Sequence, residues 1–189
     1  MRDFIRPDTA SVIIQGEAAY RMARGYCQKV MPQAEALITQ SEPGEILFDR
    51  YDINGTIGKA LSPRVDLPSG GWITIETTEA MTTIDVNSGN HSDLALAINL
   101  EAVTKIASQI PLRAIGGLIA IDFIDMQNEA DGKKIEDSLL AAFENDRVPV
   151  RIGQMSNFGV IEMTRKRDRL SLLKSLPAGY FDNTEGEDD

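Results

Sequence analysis

A chain of 189 residues, 42% hydrophobic and 25% charged, has the make-up of a globular protein and enough apolar material for one sizeable core. Its single cysteine, Cys27, excludes an intramolecular disulfide framework and fits a reducing compartment. The net charge of −10 argues against nonspecific nucleic-acid binding by the whole molecule, although Arg147–Lys174 holds seven Lys/Arg against Glu162 and Asp168.

The elements follow in chain order. "MRDFIRPDTA" lacks the apolar core of a signal peptide, and no stretch approaches the roughly 20 apolar residues of a membrane helix. A cytoplasmic protein without membrane association is expected. "SVII" at 11–14 reads as a short strand. "EAAYRMARGYCQKV" at 17–30 reads as a helix, with Ala18, Met22, Tyr26 and Val30 at fourfold spacing and Cys27 in the core or half-buried. "EALIT" at 35–39 reads as a second strand, and "SEPGE" as a loop. "DINGTIGKAL" suits a short helix weakened by two glycines. After Pro63 and the turn "PSGG", the stretch "WITIETTEAMTTIDV" predicts two strands joined around Thr78–Glu79. Trp72 opens the first of them and is expected to pack rather than to stack on a base.

"SDLALAINLEAVTKIASQI" at 92–110 predicts a strong helix, with Ser92 as N-cap and Leu96, Leu100, Val103, Ala107 and Ile110 as its apolar stripe. "GGLIAIDF" at 116–123 is almost wholly apolar, as in a central strand covered on both faces. A helix over about 130–144 and strands near 148–153 and 158–163 complete the set. The expected fold class is α/β, a mixed sheet with helical cover. Leu170, Leu172, Leu173 and Leu176 can form one helical stripe, which either contacts a second chain or packs back on its own domain. The closing "NTEGEDD" is acidic and without apolar residues, and is expected to be disordered.

Chemistry concentrates in "TTIDVNSG" at 82–89. Side chains alternate along a strand, so Thr83, Asp85 and Asn87 share one face. Asp122 likewise ends an apolar strand, and the helix between is long enough to cross over between neighbouring strands. Adjacent and parallel, the two strands would bring Asp85 and Asp122 together at the carboxyl edge, where open α/β sheets place their sites. Two carboxylates and an amide, without His or Cys, suit a hard cation such as Mg²⁺. The residues alone leave the bland reading open, in which Asp85 caps a turn and Asp122 merely ends a strand. His91, in the polar loop "GNHSD", is expected to be a surface residue rather than a general base.

The segments "LPSGGWITIETTEAMTTIDVNSG", "NLEAVTKIASQIPLRAIGGLIAIDFIDM", "ENDRV" and "FGVIEMTRKRDRLSL" resemble, in order and nearly in spacing, the catalytic region of the ribonuclease E/G family. Residues 1–62, including "EILFDRYDI", are more weakly similar to the part preceding it. The resemblance implies a partial ribonuclease H-like subdomain over 1–62, a DNase I-like catalytic subdomain over 63–176 and an acidic tail over 177–189. It places the family's metal-binding aspartates on Asp85 and Asp122 and its catalytic asparagine on Asn87. The implied activity is hydrolysis of single-stranded RNA to 5′-phosphate and 3′-hydroxyl ends, with Mg²⁺, or Mn²⁺ in its place, as cofactor. In that context Arg147, Arg165, Lys166 and Arg167 become candidates for RNA-phosphate contact, although "TRKR" would ordinarily be a solvated face. The chain departs from the family pattern in several ways, among them a shorter loop between "DVNSG" and "NLEA" and the lack of the first strands of the ribonuclease H-like subdomain. It carries no S1-type module, no full 5′-end sensor and no paired-cysteine zinc motif, so no structural zinc is expected, and Pro149 stands where many relatives are basic. These departures motivate an alternative, a non-cleaving RNA-binding or regulatory module that needs or modulates a partner ribonuclease. A homodimer or a partner chain is the assembly the resemblance allows.

Overall fold

The computed structural model describes residues 5, 9–126, 128–178 and 180. The chain divides into two compact units, Met1–Ile57 and Gly58–Asp189. The closing acidic stretch at 183–189 lies outside the described residues.

In the first unit β1 (Val12–Ile14) and β2 (Ile38–Gln40) pair in parallel, with Val12 opposite Ile38. Parallel strands need a long crossover, and α1 (Glu17–Val30) supplies it. The strand expected at 35–39 is shorter than its sequence suggests, because Pro32–Leu37 forms a 3₁₀ helix that takes its first half. Pro32 at the start of that helix has its φ preset for a helical turn and needs no N–H partner there. Cys27 is buried with Ala34 and Ile38, and Tyr20 packs against them. The Met22–Tyr26–Val30 line of α1 lies on its exposed side instead. Short α2 (Leu47–Arg50) follows, and α3 (Ile53–Leu61) contains the division between the units.

The second unit is built on a six-stranded sheet. Its strands are β3 (Arg64–Asp66), β4 (Trp72–Thr77), β5 (Thr82–Asn87), β6 (Gly117–Asp122), β7 (Val150–Met155) and β8 (Val160–Arg165), in the order β3-β4-β5-β6-β8-β7. Only β5 and β6 run parallel, and α4 (Ala95–Leu112) connects them. The β4–β5 hairpin turns where expected, its loop closed by the Thr78 N–H donating to the Met81 carbonyl. Helix α5 (Glu129–Phe143) is capped by Asn128, whose side chain accepts from the Asp131 N–H.

Alternation sorts the strand residues into two faces. Ile73, Ile75, Ile84, Val86, Ile119, Ile121, Ile161 and Met163 are buried in one core with α4 and with Ile135, Leu139 and Phe143 of α5. The residues between them, including Thr74, Asp85, Asn87, Leu118, Asp122 and Glu162, are half-buried or exposed. The expectation that the central strand is covered on both faces therefore fails. Both helices pack on one side, and an unbroken apolar run such as "GLIAI" does not reveal that Leu118 points the other way. The buried stripe of α4 is likewise turned from the expected one: Ile98, Asn99, Ala102, Val103, Ile106 and Ile110 face the sheet, while Leu96 and Ala107 are partly buried at its margin. The leucines near the C-terminus do not form one stripe, since around α6 (Leu172–Ser175) Leu170 and Leu173 are exposed and Leu172 and Leu176 half-buried. No helix among the described residues is long and apolar enough to cross a membrane.

Candidate active site

The parallel register of β5 and β6 sets Asp85 directly opposite Asp122, at the carboxyl ends of both strands. Adjacent strands lie about 4.8 Å apart, so the two carboxylates are neighbours on the uncovered face. Asn87, two residues on and on the same face, donates from Nδ2 to Asp85 Oδ2 at 2.7 Å and fixes that carboxylate's orientation. Among the described residues neither aspartate forms an ion pair. The Asp122 carboxyl is held above the ordinary carboxylate range, first by desolvation, then by the negative charges of Asp85 and Asp125. Like charges gathered without a counter-ion are unfavourable, and a cation between them would relieve the repulsion. No cluster of three or more His, Cys, Asp or Glu able to hold a metal occurs among the described residues. Two carboxylates and an amide still suit Mg²⁺, which binds through one or two carboxylates and keeps several waters.

The surroundings hold this arrangement in place. Gly71, just before β4, lies so close to β5 that a Cβ there would lie 2.5 Å from the Asn87 carbonyl oxygen, a distance no side chain tolerates. The turn before it is anchored by Glu101 of α4, whose Oε2 accepts from the Ser69 N–H at 3.0 Å and the Ser69 hydroxyl at 2.8 Å. His91 is exposed beside that turn, its ring 3.3 Å from where a Cβ on Gly70 would stand. Beyond Asp122 the chain is gripped by Asn99, which is fully buried. Its Nδ2 donates to the Ile124 carbonyl at 2.8 Å and its Oδ1 accepts the Ile124 N–H at 3.1 Å. Sequence reasoning missed this residue. The available signal was one amide on a helix face otherwise made of Ile, Ala and Val, since a buried polar group has to find partners. Asn99→Ala should lower stability by about 1–3 kcal/mol by leaving both Ile124 groups unpaired. Urea denaturation checks this, and an unchanged midpoint would show that the clamp contributes nothing.

The basic candidates lie elsewhere. Strand β8 runs antiparallel to β6, with Val160 opposite Asp122 but Arg165 opposite Gly117. Five residues separate these ends, so the "TRKR" run sits about 17 Å along the strand from the two aspartates. Arg165 is not available to RNA. It shares the core face with Ile161 and Met163, its side chain is 4% exposed, and its guanidinium donates to Asp146 and to the Ile115 carbonyl. Arg147 pairs with Asp168. Lys166 and Arg167 are exposed, although Arg167 Nε donates to the Gly116 carbonyl at 3.0 Å. Arg64 of β3 instead brings a cation to the aspartate-bearing face, where it lies over Trp72. Trp72 is half-buried there rather than packed in the core.

Comparison with known proteins adds a second line of observation. A family model described as "Ribonuclease E/G family" matches residues 1–168. The chain is 36% identical over 178 residues to "Ribonuclease G" of Salmonella typhimurium (strain SL1344), covering 91% of this chain and 36% of that protein. It is 37% identical over 178 residues to "Ribonuclease G" of Haemophilus influenzae, covering 91% of this chain and 36% of that protein. It is also 37% identical over 184 residues to "Ribonuclease E" of Synechocystis sp., covering 92% of this chain and 27% of that protein. The chain thus spans about a third of the length of the curated relatives it matches.

Proposed function

The chain belongs to the ribonuclease E/G family, and from that premise we propose that it is a Mg²⁺-dependent endoribonuclease that hydrolyses single-stranded RNA to 5′-phosphate and 3′-hydroxyl ends. One observation carries the reading: Asp85 and Asp122 stand opposite each other in parallel register, with Asn87 bonded to Asp85. Asp85 and Asp122 would hold the cation, with Mn²⁺ as the alternative to Mg²⁺. When bound, the ion supplies Lewis-acid polarisation of the phosphate and a lowered pKa for water.

The chain's own residues supply placement. Asn87 holds Asp85 in one orientation through one amide hydrogen, and its second hydrogen is free to donate to a phosphate oxygen. The uncovered sheet face lets an extended strand lie across the aspartates without a lid. A polar cleft of 800 Å³ lies beyond the end of β6, lined by Asp125, Asn128, Lys133, Glu136, Ser156 and Asn157. In the reaction a water oxygen bonds to phosphorus and the P–O3′ bond breaks. The O3′ atom leaves with the bonding pair and takes up a proton, so the phosphate stays on the 5′ side of the downstream product. Lys166, Arg167 and Arg147, at the opposite end of β8, would contact RNA only at a distance from the cut.

The test is cleavage of a 5′-labelled single-stranded RNA by the purified chain. Endonucleolytic products in Mg²⁺, lost on adding EDTA and restored by excess Mg²⁺, are the expected result. Binding of the same RNA without cleavage would replace this reading with that of a non-cleaving module acting through a partner ribonuclease.

A further inference from the structure

Trp72 is set directly opposite Asn87 and diagonal to Asp85 on the uncovered face of the sheet. Diagonal neighbours across two strands are about 7–8 Å apart, within reach of an aromatic side chain. Its environment is polar: the apolar residues of β4, Ile73 and Ile75, point into the core on the other side. The Arg64 guanidinium lies 4.1 Å from the indole centroid, and Arg64 Nε donates to Asp66 Oδ1 at 2.9 Å. Just beyond β5 the backbone of Gly89 comes close enough that a Cβ there would lie 3.3 Å from Trp72 Cζ3. The ring thus has a tethered cation over one face and a glycine beside its Cζ3 edge, and it stays half-buried.

We propose that Trp72, with Arg64 stacked on it, forms a base-stacking subsite for the nucleotide next to the phosphate held at Asp85 and Asp122. The inference rests on the reading of that centre as an RNA-cleaving site, and deepens it by naming what it recognises. Every base has a π-face, so stacking on an aromatic ring tolerates sequence. It does not tolerate a duplex, in which both faces of each base are already stacked. The guanidinium adds cation–π stabilisation to the platform and a positive charge on the aspartate-bearing face. The subsite thus gives single-strand preference from within the catalytic unit, without a separate RNA-binding module.

Trp72 is the single tryptophan of the chain, so its fluorescence reports this subsite alone. The probe is a short unstructured oligoribonucleotide, with an abasic oligomer of equal length as control, added with Mg²⁺ to the 189-residue Asp122→Asn chain to prevent cleavage. Fluorescence anisotropy of an end-labelled copy gives binding, and the emission of Trp72 with unlabelled RNA gives stacking. The expected result is quenching that saturates with binding, and absent with the abasic oligomer. Trp72→Ala should weaken binding by about 10- to 100-fold, and Trp72→Phe by much less. RNA that binds without altering the emission overturns the subsite and leaves the cleavage reading intact. A wild-type chain that neither binds nor cleaves RNA overturns both. Because the quenching experiment leaves Trp72 and its neighbours unaltered, a Trp72 variant that fails to fold does not remove the test.

Discussion

Asp122→Asn should abolish the proposed Mg²⁺-dependent cleavage while leaving the melting temperature unchanged or raised. The carboxylate it removes is one of two facing each other across β5 and β6, and an amide oxygen is a far weaker ligand for a hard cation. A loss of about 10²–10³-fold or more is expected, the scale on which a single electrostatic stabiliser acts at a reacting centre. The stability sign is opposite to that of an ordinary core substitution. In the folded chain Asp122 ionises less readily than a free aspartate, through desolvation and through Asp85 and Asp125. Its charged form therefore costs folding stability at neutral pH, a cost that vanishes below the carboxyl's unfolded pKa. An uncharged isostere removes it. Initial rates on the labelled RNA and thermal melts at pH 7 without metal check both halves. A variant that cleaves at the wild-type rate would remove Asp122 from the centre.

The second large effect is structural. Asp146→Ala should destabilise the chain by about 3–5 kcal/mol, because it strands a buried guanidinium. Arg165 Nε and Nη2 donate to the two Asp146 oxygens at 2.9 and 3.0 Å, with both side chains 4% exposed. A third bond, from Arg165 Nη1 to the Ile115 carbonyl at 2.9 Å, ties this pair to the entry of β6. Burial alone would push the Asp146 carboxyl up, but the bonds from Arg165 and the Val148 N–H, with the charges of Arg165 and Arg147, hold it below its ordinary value. A depressed folded pKa gives stabilisation that is complete above the unfolded value, about 3.9, and is lost as pH falls through the folded one. Denaturant midpoints recorded from pH 6 down to pH 2 should fall more steeply for the wild type than for Asp146→Asn. Adding Arg165→Met to Asp146→Ala should recover much of the loss, since an apolar pair of similar volume needs no counter-charge. A double variant as unstable as Asp146→Ala alone would refute the charge-stranding account.

The meeting of Asp85 and Asp122 was legible in the sequence because it depends on two strong local rules. Alternation fixes which side chains share a face, and a helix of sufficient length makes a parallel crossover feasible. The burial of Arg165 is hidden because "TRKR" reads as a run of like charges, whereas Ile161, Met163 and Arg165 alternate as members of one strand face. Applying the period-2 rule to β8, as to β5, would have turned Arg165 inward. The stripe on α4 was harder to place. Its sequence is apolar at Leu96, Ile98, Leu100, Val103, Ile106 and Ile110 alike, so several faces compete and only tertiary packing decides between them. Asn99 and Gly71 act through contacts with backbone far away in sequence, which no local pattern encodes.

Strand β7 forms one rim of the sheet, and its pairing with β8 loses register between Ile152 and Met155. The opposite rim, β3, is three residues long, begins after Pro63 and carries Arg64 and Asp66. An unpaired strand edge invites another chain to add itself, and proteins blunt such edges with short strands, charges and bulges. Both rims here are blunted, one by irregularity and the other by brevity and charge. The six-stranded sheet therefore offers no long regular template for fibre growth.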